Sequence, residues 1–212
     1  GGGFGGTAGK TSQATLLGDL ITSSVATTQP IMNNTGTNQL IFAGVTRRTL
    51  TLGASATMFT GSTLKLSGSA GLALGGSSRN YTVGTGGAAD LGAGNIATSP
   101  NTLAMAAGNT LSRTTGRVVG RLRKGVATGP AAVAFEVGTE TLDAPVALAF
   151  GNVSVAGNLL TTTTTGDHPN LGTSNLNATK SVNRYYTVTN EGVTFDTCAV
   201  DLTFPPSEVD AG

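Results

Sequence analysis

The chain has 212 residues, of which 38% are hydrophobic and only 11% charged, and its formal net charge is +1. An average soluble domain carries about 25% charged residues, so Thr, Ser, Asn and Gln must solvate most of this surface. The near-neutral charge excludes a global attraction for nucleic acid or for an acidic membrane surface. No apolar run approaches the ~20 residues of a membrane-spanning helix, so we predict no membrane span.

A Gly-rich segment opens the chain, and we treat residues 1–14 as a separate N-terminal segment. Gly9-Lys10-Thr11 suggests a phosphate-binding loop, but that motif needs Gly where Phe4 stands, so we exclude a nucleotide site. Gly-rich termini are ordered only when something ties them down, so we expect this segment to dock on its own domain or on a neighbour. The predicted assembly residues are Gly1, Gly2, Gly3, Phe4, Gly5 and Gly6.

Residues 15–115 form a region rich in Gly, Ser and Thr that repeats a loose pattern of turn, apolar strand and Gly. The pattern occurs as GTNQLIFAG (36–44), GSTLKLSG (61–68) and GNTLSRTTG (108–116), returns as GNLLTTTTTG (157–166), and a GGAADLG stretch (86–92) falls between the second and third copies. A spacing near 25 residues, or twice that, is typical of stacked β coils or of serial hairpins. The sequence therefore predicts coils or hairpins in this region.

Residues 116–212 contain more Arg, Glu, Val and Phe, and their short strands alternate with Gly, Asn, Asp and Pro turns. This spacing of strands and turns predicts a β-sandwich-like module. A basic cluster lies at its start: Arg113, Arg117, Arg121, Arg123 and Lys124. No aromatic residue is interleaved to stack bases. Arg117, Arg121 and Arg123 share one face of a strand, which we interpret as a solvated or edge-protecting face, or one that pairs with acidic strands of a neighbour.

Few residues could carry chemistry. The single His168 lies in a turn with Asp167 and Pro169, and no Gly-x-Ser-x-Gly elbow is present, so we predict no enzyme activity. The single Cys198 excludes an intramolecular disulfide and is interpreted as a small buried residue. Asp167 and Asn170 are weak candidates for a Ca²⁺ site, because both offer oxygen ligands. We otherwise predict no metal and no cofactor.

The segment from Thr110 to Gly212 carries the wording RTTGRVVGRLRK, FEVGTETLDAPVALAFGNVSVAGNL, TTTGDHPNLGTSNLNATKSVNRYYTVTNEGVTF and FPPSEVDAG. It resembles a repeated module of very large secreted surface proteins of Bacteroidota and related bacteria. The resemblance implies a β-rich extracellular module of an adhesin-like or stalk-like protein, often exported by the type IX route, with no catalytic residues. In that family a further strand-rich segment usually follows VDAG, so we expect an incomplete module with an unpaired strand edge.

Together these observations predict an all-β protein: a short-stranded sandwich, jelly-roll or immunoglobulin-like, preceded by solenoid-like coils. The predicted function is that of an extracellular structural or adhesive protein that joins copies of itself head to tail into a filament or surface layer by strand addition. Surface glycans are the other expected partner. The alternative function is a carbohydrate-binding module of a secreted protein, which would use exposed Tyr or Phe side chains.

Overall fold

A computed structural model describes residues 4–5, 11–21, 32–33, 37–53 and 61–210. These residues form β-strands joined by turns, with two single-turn 3-10 helices at Leu171–Thr173 and Pro206–Glu208. The predicted all-β class is confirmed, and the parallel sheets have the solenoid-like arrangement expected for the first half.

Within the described ranges, the strands before Gly116 are β1 (Phe4–Gly5), β2 (Thr11–Leu16), β3 (Leu20–Ile21), β4 (Met32–Asn33), β5 (Thr37–Phe42), β6 (Arg48–Thr51), β7 (Ser62–Leu66), β8 (Leu72–Leu74), β9 (Asn80–Val83), β10 (Ala88–Asp90), β11 (Ile96–Met105) and β12 (Thr110–Ser112). Eight strands follow it: β13 (Val118–Val126), β14 (Gly129–Phe135), β15 (Val137–Gly138), β16 (Val146–Val155), β17 (Gly157–Thr165), β18 (Arg184–Glu191), β19 (Thr194–Phe195) and β20 (Cys198–Leu202).

Successive coils of the first half stack in register. In the sheet β2-β5-β7-β10-β12, Leu40 pairs with Leu64, Leu64 with Ala89, and Ala89 with Leu111, always in parallel. These four side chains are buried and form one column of the core. They come from four of the repeated sequence segments, so stacked coils are the correct interpretation of that repeat and serial hairpins are wrong.

A second sheet lies on the next side of the coils, with the order β3-β6-β8-β11-β13. Strand β11 lies on two sides of the coils, because its first residues pair with β8, whereas Thr102–Met105 pair with β9. Strand β13 pairs in parallel with both parts of β11, and the pairing register shifts between the two parts. A second buried column, Tyr81, Leu103 and Leu122, results on this third side.

Glycines stack at one corner of the coils, at Gly44, Gly68, Gly94 and Gly116. A side-chain carbon at Gly94 would lie 2.6 Å from the carbonyl oxygen of Gly68, and one at Gly116 would lie 2.3 Å from that of Gly94. Real side-chain carbons do not approach backbone atoms so closely. The close stacking of coils at this corner therefore requires glycine.

The C-terminal part changes to antiparallel pairing. Strand β13 pairs with β17, and β17 with β18, which extends the sheet of the coils. A separate sheet contains β14, β16, β19 and β20, with β16 at its centre. Buried side chains of both sheets belong to the same hydrophobic core as the coils. The last copy of the repeat (157–166) forms β17 and not a coil.

The predicted boundary near Gly116 lies just before β13. This strand belongs to the parallel coils through β11 and to the antiparallel part through β17. The core is continuous on both sides of it. A jelly-roll or immunoglobulin-like topology for residues 116–212 stays a prediction.

Candidate functional site: the open seam

The predicted basic cluster forms contacts within the chain. Arg113 donates two hydrogen bonds to the carboxylate of Asp143, at 2.7 and 2.8 Å, and this partner raises the pKa of Arg113. Arg123 forms an ion pair with Glu191, whereas Arg121 donates to the hydroxyl of Thr102. These partners lie far away in sequence, so the cluster ties the strands of its own chain together.

Lys124, the last member of the cluster, points into the core instead of toward solvent. It is 8% exposed and lies in register with Met105 and Leu159. Its ammonium is 2.7 Å from a carboxylate oxygen of Glu136 and 5.9 Å from the ring centroid of Phe135. Burial lowers the pKa of Lys124, and the charge of Glu136 opposes that shift. Lys124 therefore lies on the opposite side of β13 from Arg121 and Arg123, as the alternation of side chains along a strand requires.

The two candidate Ca²⁺ ligands have different partners. Asp167 accepts a hydrogen bond from the Ser181 hydroxyl at 3.0 Å, and that hydroxyl also lies 3.1 Å from Asp210. Asn170 is in the following turn, where its backbone N–H donates to His168. Among the residues that the structure describes, no three His, Cys, Asp or Glu side chains gather as a metal site would require.

His168 and Cys198 have ordinary surroundings. The ring of His168 packs edge-to-face on Tyr185, with centroids 5.0 Å apart, in the exposed loop after β17. Cys198 is half-buried on β20, and burial raises the pKa of its thiol. A raised pKa keeps a thiol protonated and unreactive at neutral pH.

The Gly-rich segment is described in part. Phe4–Gly5 forms β1, which pairs in parallel with Met32–Asn33 of the same chain. Strand β2 begins inside this segment, at Thr11, and pairs with β5. The other predicted assembly residues, Gly1, Gly2, Gly3 and Gly6, lie outside the described residues.

The open side of the C-terminal sheets is the most unusual feature of this surface. Strand β18 ends one sheet and β20 lies at a border of the other, and within the described ranges no strand pairs with their outer sides. The two strands are linked at both ends, and at one end Gly192 and Val193 connect β18 to β19, which precedes β20. At the other end the Tyr186 hydroxyl donates to the carbonyl oxygen of Thr203. Two strand edges, one from each sheet, therefore lie next to each other.

Apolar side chains line the gap between these edges. Val188 is paired with the buried Thr161, and Val200 with the buried Leu148. Residues directly opposite each other in antiparallel strands share a face, so Val188 and Val200 point to the core side. Yet Val188 is 39% exposed and Val200 57%, and the neighbouring Leu202 is 41% exposed. We call this gap, lined by Val188, Val200 and Leu202, the open seam.

One end of the open seam is held rigidly. Arg184 donates to both carboxylate oxygens of Glu208, and both side chains are almost completely buried. The segment after β20 also returns to β18 through a bridge between Val182 and Val209. The incomplete module that the resemblance implies stays a prediction, and the resemblance does not indicate which residues line the open seam. The alternation of Thr and Val in Thr187-Val188-Thr189 was the available signal.

No protein-family model, curated protein or solved structure matches the chain. No helix within the described ranges has the length and apolar character to cross a membrane.

Proposed function

We propose that this chain is a structural or adhesive protein of the extracellular surface, and that copies of it join into a filament or layer by strand addition. The observation that carries the proposal is the open seam, where two unpaired strand edges lie beside exposed apolar side chains. Free edges bind further strands by backbone hydrogen bonding, and exposed apolar positions along them favour such binding.

Two further features support a structural role. The stacked coils form a continuous core, which is typical of elongated scaffolds built from repeats. The basic side chains of residues 113–124 bind Asp, Glu or Thr partners within the chain. The resemblance of residues 110–212 to modules of secreted surface proteins is consistent with an extracellular location.

A carbohydrate-binding module is the second candidate, and the contact between His168 and Tyr185 favours it. Aromatic rings at a surface offer flat apolar faces on which sugar rings can stack. A glycan array of the purified protein distinguishes the two functions. Saturable binding that Tyr185→Ala abolishes would favour the carbohydrate-binding module.

Electron microscopy of the purified chain over a concentration series tests the structural proposal. We expect filaments or sheets that become more numerous with concentration. If the Gly-rich segment supplies the added strand, deletion of residues 1–14 should remove the polymers and leave a folded monomer. Single particles at every concentration, together with a monomeric mass in solution, would overturn the proposal.

A further inference from the structure

We propose that the open seam binds the open seam of a second copy of this chain, so that the edge strands of both sheets pair across a two-fold axis. This inference rests on the proposed function and names one contact between copies. A two-fold contact closes on itself into a dimer, so a filament or layer requires a second, different contact.

The number of free edges favours a second copy over a single inserted strand. One edge belongs to β18, with eight residues, and the other to β20, with five. A single extended peptide can pair with one of these edges only. A second copy presents the same two edges, and a two-fold axis normal to the sheets extends both sheets at once. It also covers Val188, Val200 and Leu202 of both copies.

The sequence of β18 suits antiparallel pairing with itself. Centred on Val188, such pairing places Thr187 opposite Thr189 of the second copy, and Val188 opposite its own counterpart. Thr–Thr and Val–Val neighbours are favourable cross-strand pairs. No charged residue lies between Tyr185 and Asn190.

The charges that flank this stretch are neutralised. Arg184 is paired with Glu208, and Glu191 with Arg123. Edge strands of monomeric proteins usually carry a Lys, a Pro or an inward charge that prevents pairing, and the centre of β18 has none of these. Strand β20 carries one charge, Asp201, which is in register with the exposed Ala147 and so lies on the outer face of its sheet, away from the core.

The N-terminal segment is a poorer occupant of the open seam. Its described strand β1 pairs with β4, and the adjacent β2 pairs with β5 of the same chain. To fill a neighbour's seam, these strands would first have to leave their own coils. A second copy requires no such rearrangement.

The size of the contact predicts its strength. An eight-residue strand is about 27 Å long, and two packed sheets about 10 Å apart present an edge roughly 20 Å wide. The paired edges then bury on the order of 1,000 Å² in total, at the lower limit for specific interfaces. We therefore expect a weak dimer whose population rises with concentration.

Sedimentation velocity over a concentration series tests this contact with Val188→Lys. The matched control is Val45→Lys, since Val45 is 96% exposed on a turn of the coils. A Lys at the centre of β18 brings two ammonium groups together across the axis, so we expect dimerisation to weaken by roughly tenfold or more. The control should associate like the unmodified chain, and thermal unfolding verifies that both variants fold.

Cross-linking gives a second measurement, independent of any loss of stability. In a Cys198→Ser background, Val188→Cys places two thiols opposite each other, within the reach of a disulfide. We expect a covalent dimer on mild oxidation, and none for Val45→Cys under the same conditions.

The outcomes separate this inference from the proposed function. Assemblies that persist unchanged in folded Val188→Lys, with no cross-link at position 188, would overturn the seam contact and leave the structural role standing. Assemblies lost only on deletion of residues 1–14 would assign the contact to the N-terminal segment, and would also overturn it. A chain that stays monomeric at every concentration overturns both.

Discussion

The coils before Gly116 and the antiparallel sheets after it bury their strands in different ways. In the coils, each apolar side chain lies on its counterpart in the next coil, as Leu40 lies on Leu64. In the C-terminal sheets the added strands pair antiparallel, and Val188, Val200 and Leu202 stay partly exposed. Stacking covers each strand with the next except at the ends of the stack, at β2, β3 and β12, whereas the edges of β18 and β20 belong to two different sheets. We therefore expect a further chain to bind at the C-terminal sheets, where these apolar side chains are exposed.

The ion pair of Lys124 and Glu136 lies where the two regions meet, and its removal should have the largest effect. Glu136→Ala leaves a buried ammonium without a partner, so we expect a loss of about 3–5 kcal/mol in the free energy of unfolding. Burial of the charged Lys opposes folding. The pKa of Lys124 is lower in the folded chain than in the unfolded chain. The loss of stability from burying the charge is therefore largest at pH values below the folded pKa, and it disappears as pH rises through the usual Lys pKa.

Urea denaturation of Glu136→Ala measures this loss, and the double variant Lys124→Met/Glu136→Leu is its control. Apolar replacement of both partners is often neutral or stabilising by about 1–4 kcal/mol. If Glu136→Ala unfolds like the unmodified chain, the two regions do not depend on this contact.

The glycine corner should have an intermediate effect that is confined to the coils. In Gly116→Ala the new methyl group meets the carbonyl oxygen of Gly94, so we expect a loss of about 1–3 kcal/mol from local overpacking. Gly172→Ala, in the C-terminal part, has no atom within 4 Å of the new carbon and serves as the control. Thermal unfolding of both variants tests this, and equal melting temperatures would contradict the close stacking of the coils.

The smallest effect concerns the loop 139–143, which returns from the C-terminal part to the coils. Arg47 binds Glu140 through two hydrogen bonds, at 2.7 and 2.5 Å, and this partner lowers the pKa of Glu140. Glu140→Gln should cost about 0.2–1 kcal/mol at neutral pH, because the pair is half-exposed. The contribution is present above the usual Glu pKa and is lost as pH falls through the lowered folded value.

Chemical denaturation at neutral and acidic pH measures this dependence. Asp201→Asn is a suitable control, since Asp201 is an exposed carboxylate without an ion pair in the part of the chain that the structure describes. A difference between Glu140→Gln and the unmodified chain that persists in acid would contradict an ionic origin.

The sequence predicts the coils better than the seam, and the reason is physical. Repeated turns and apolar strands are local signals, so the stack of Leu40, Leu64 and Leu111 could be expected from GTNQLIFAG, GSTLKLSG and GNTLSRTTG. The similar wording of GNLLTTTTTG did not reveal that β17 runs antiparallel, because strand direction depends on the partner. Likewise, the inward orientation of Lys124 depends on Glu136 and Phe135. The seam depends on the register of β18 and β20, which no short motif encodes.

Strand β13 has a practical consequence for anyone who wishes to divide the molecule. It is the last strand of the parallel stack, through β11, and the first strand of the antiparallel pairing, through β17. A fragment that stops at Gly116 would leave the backbone groups of β11 that pair with β13 exposed, and exposed strand edges aggregate. A fragment that starts at Gly116 would contain β13 without β11, the strand with which it pairs. Insertions and fusions are therefore better placed in an exposed turn of the coils, such as the one that carries Val45, than at the change in composition.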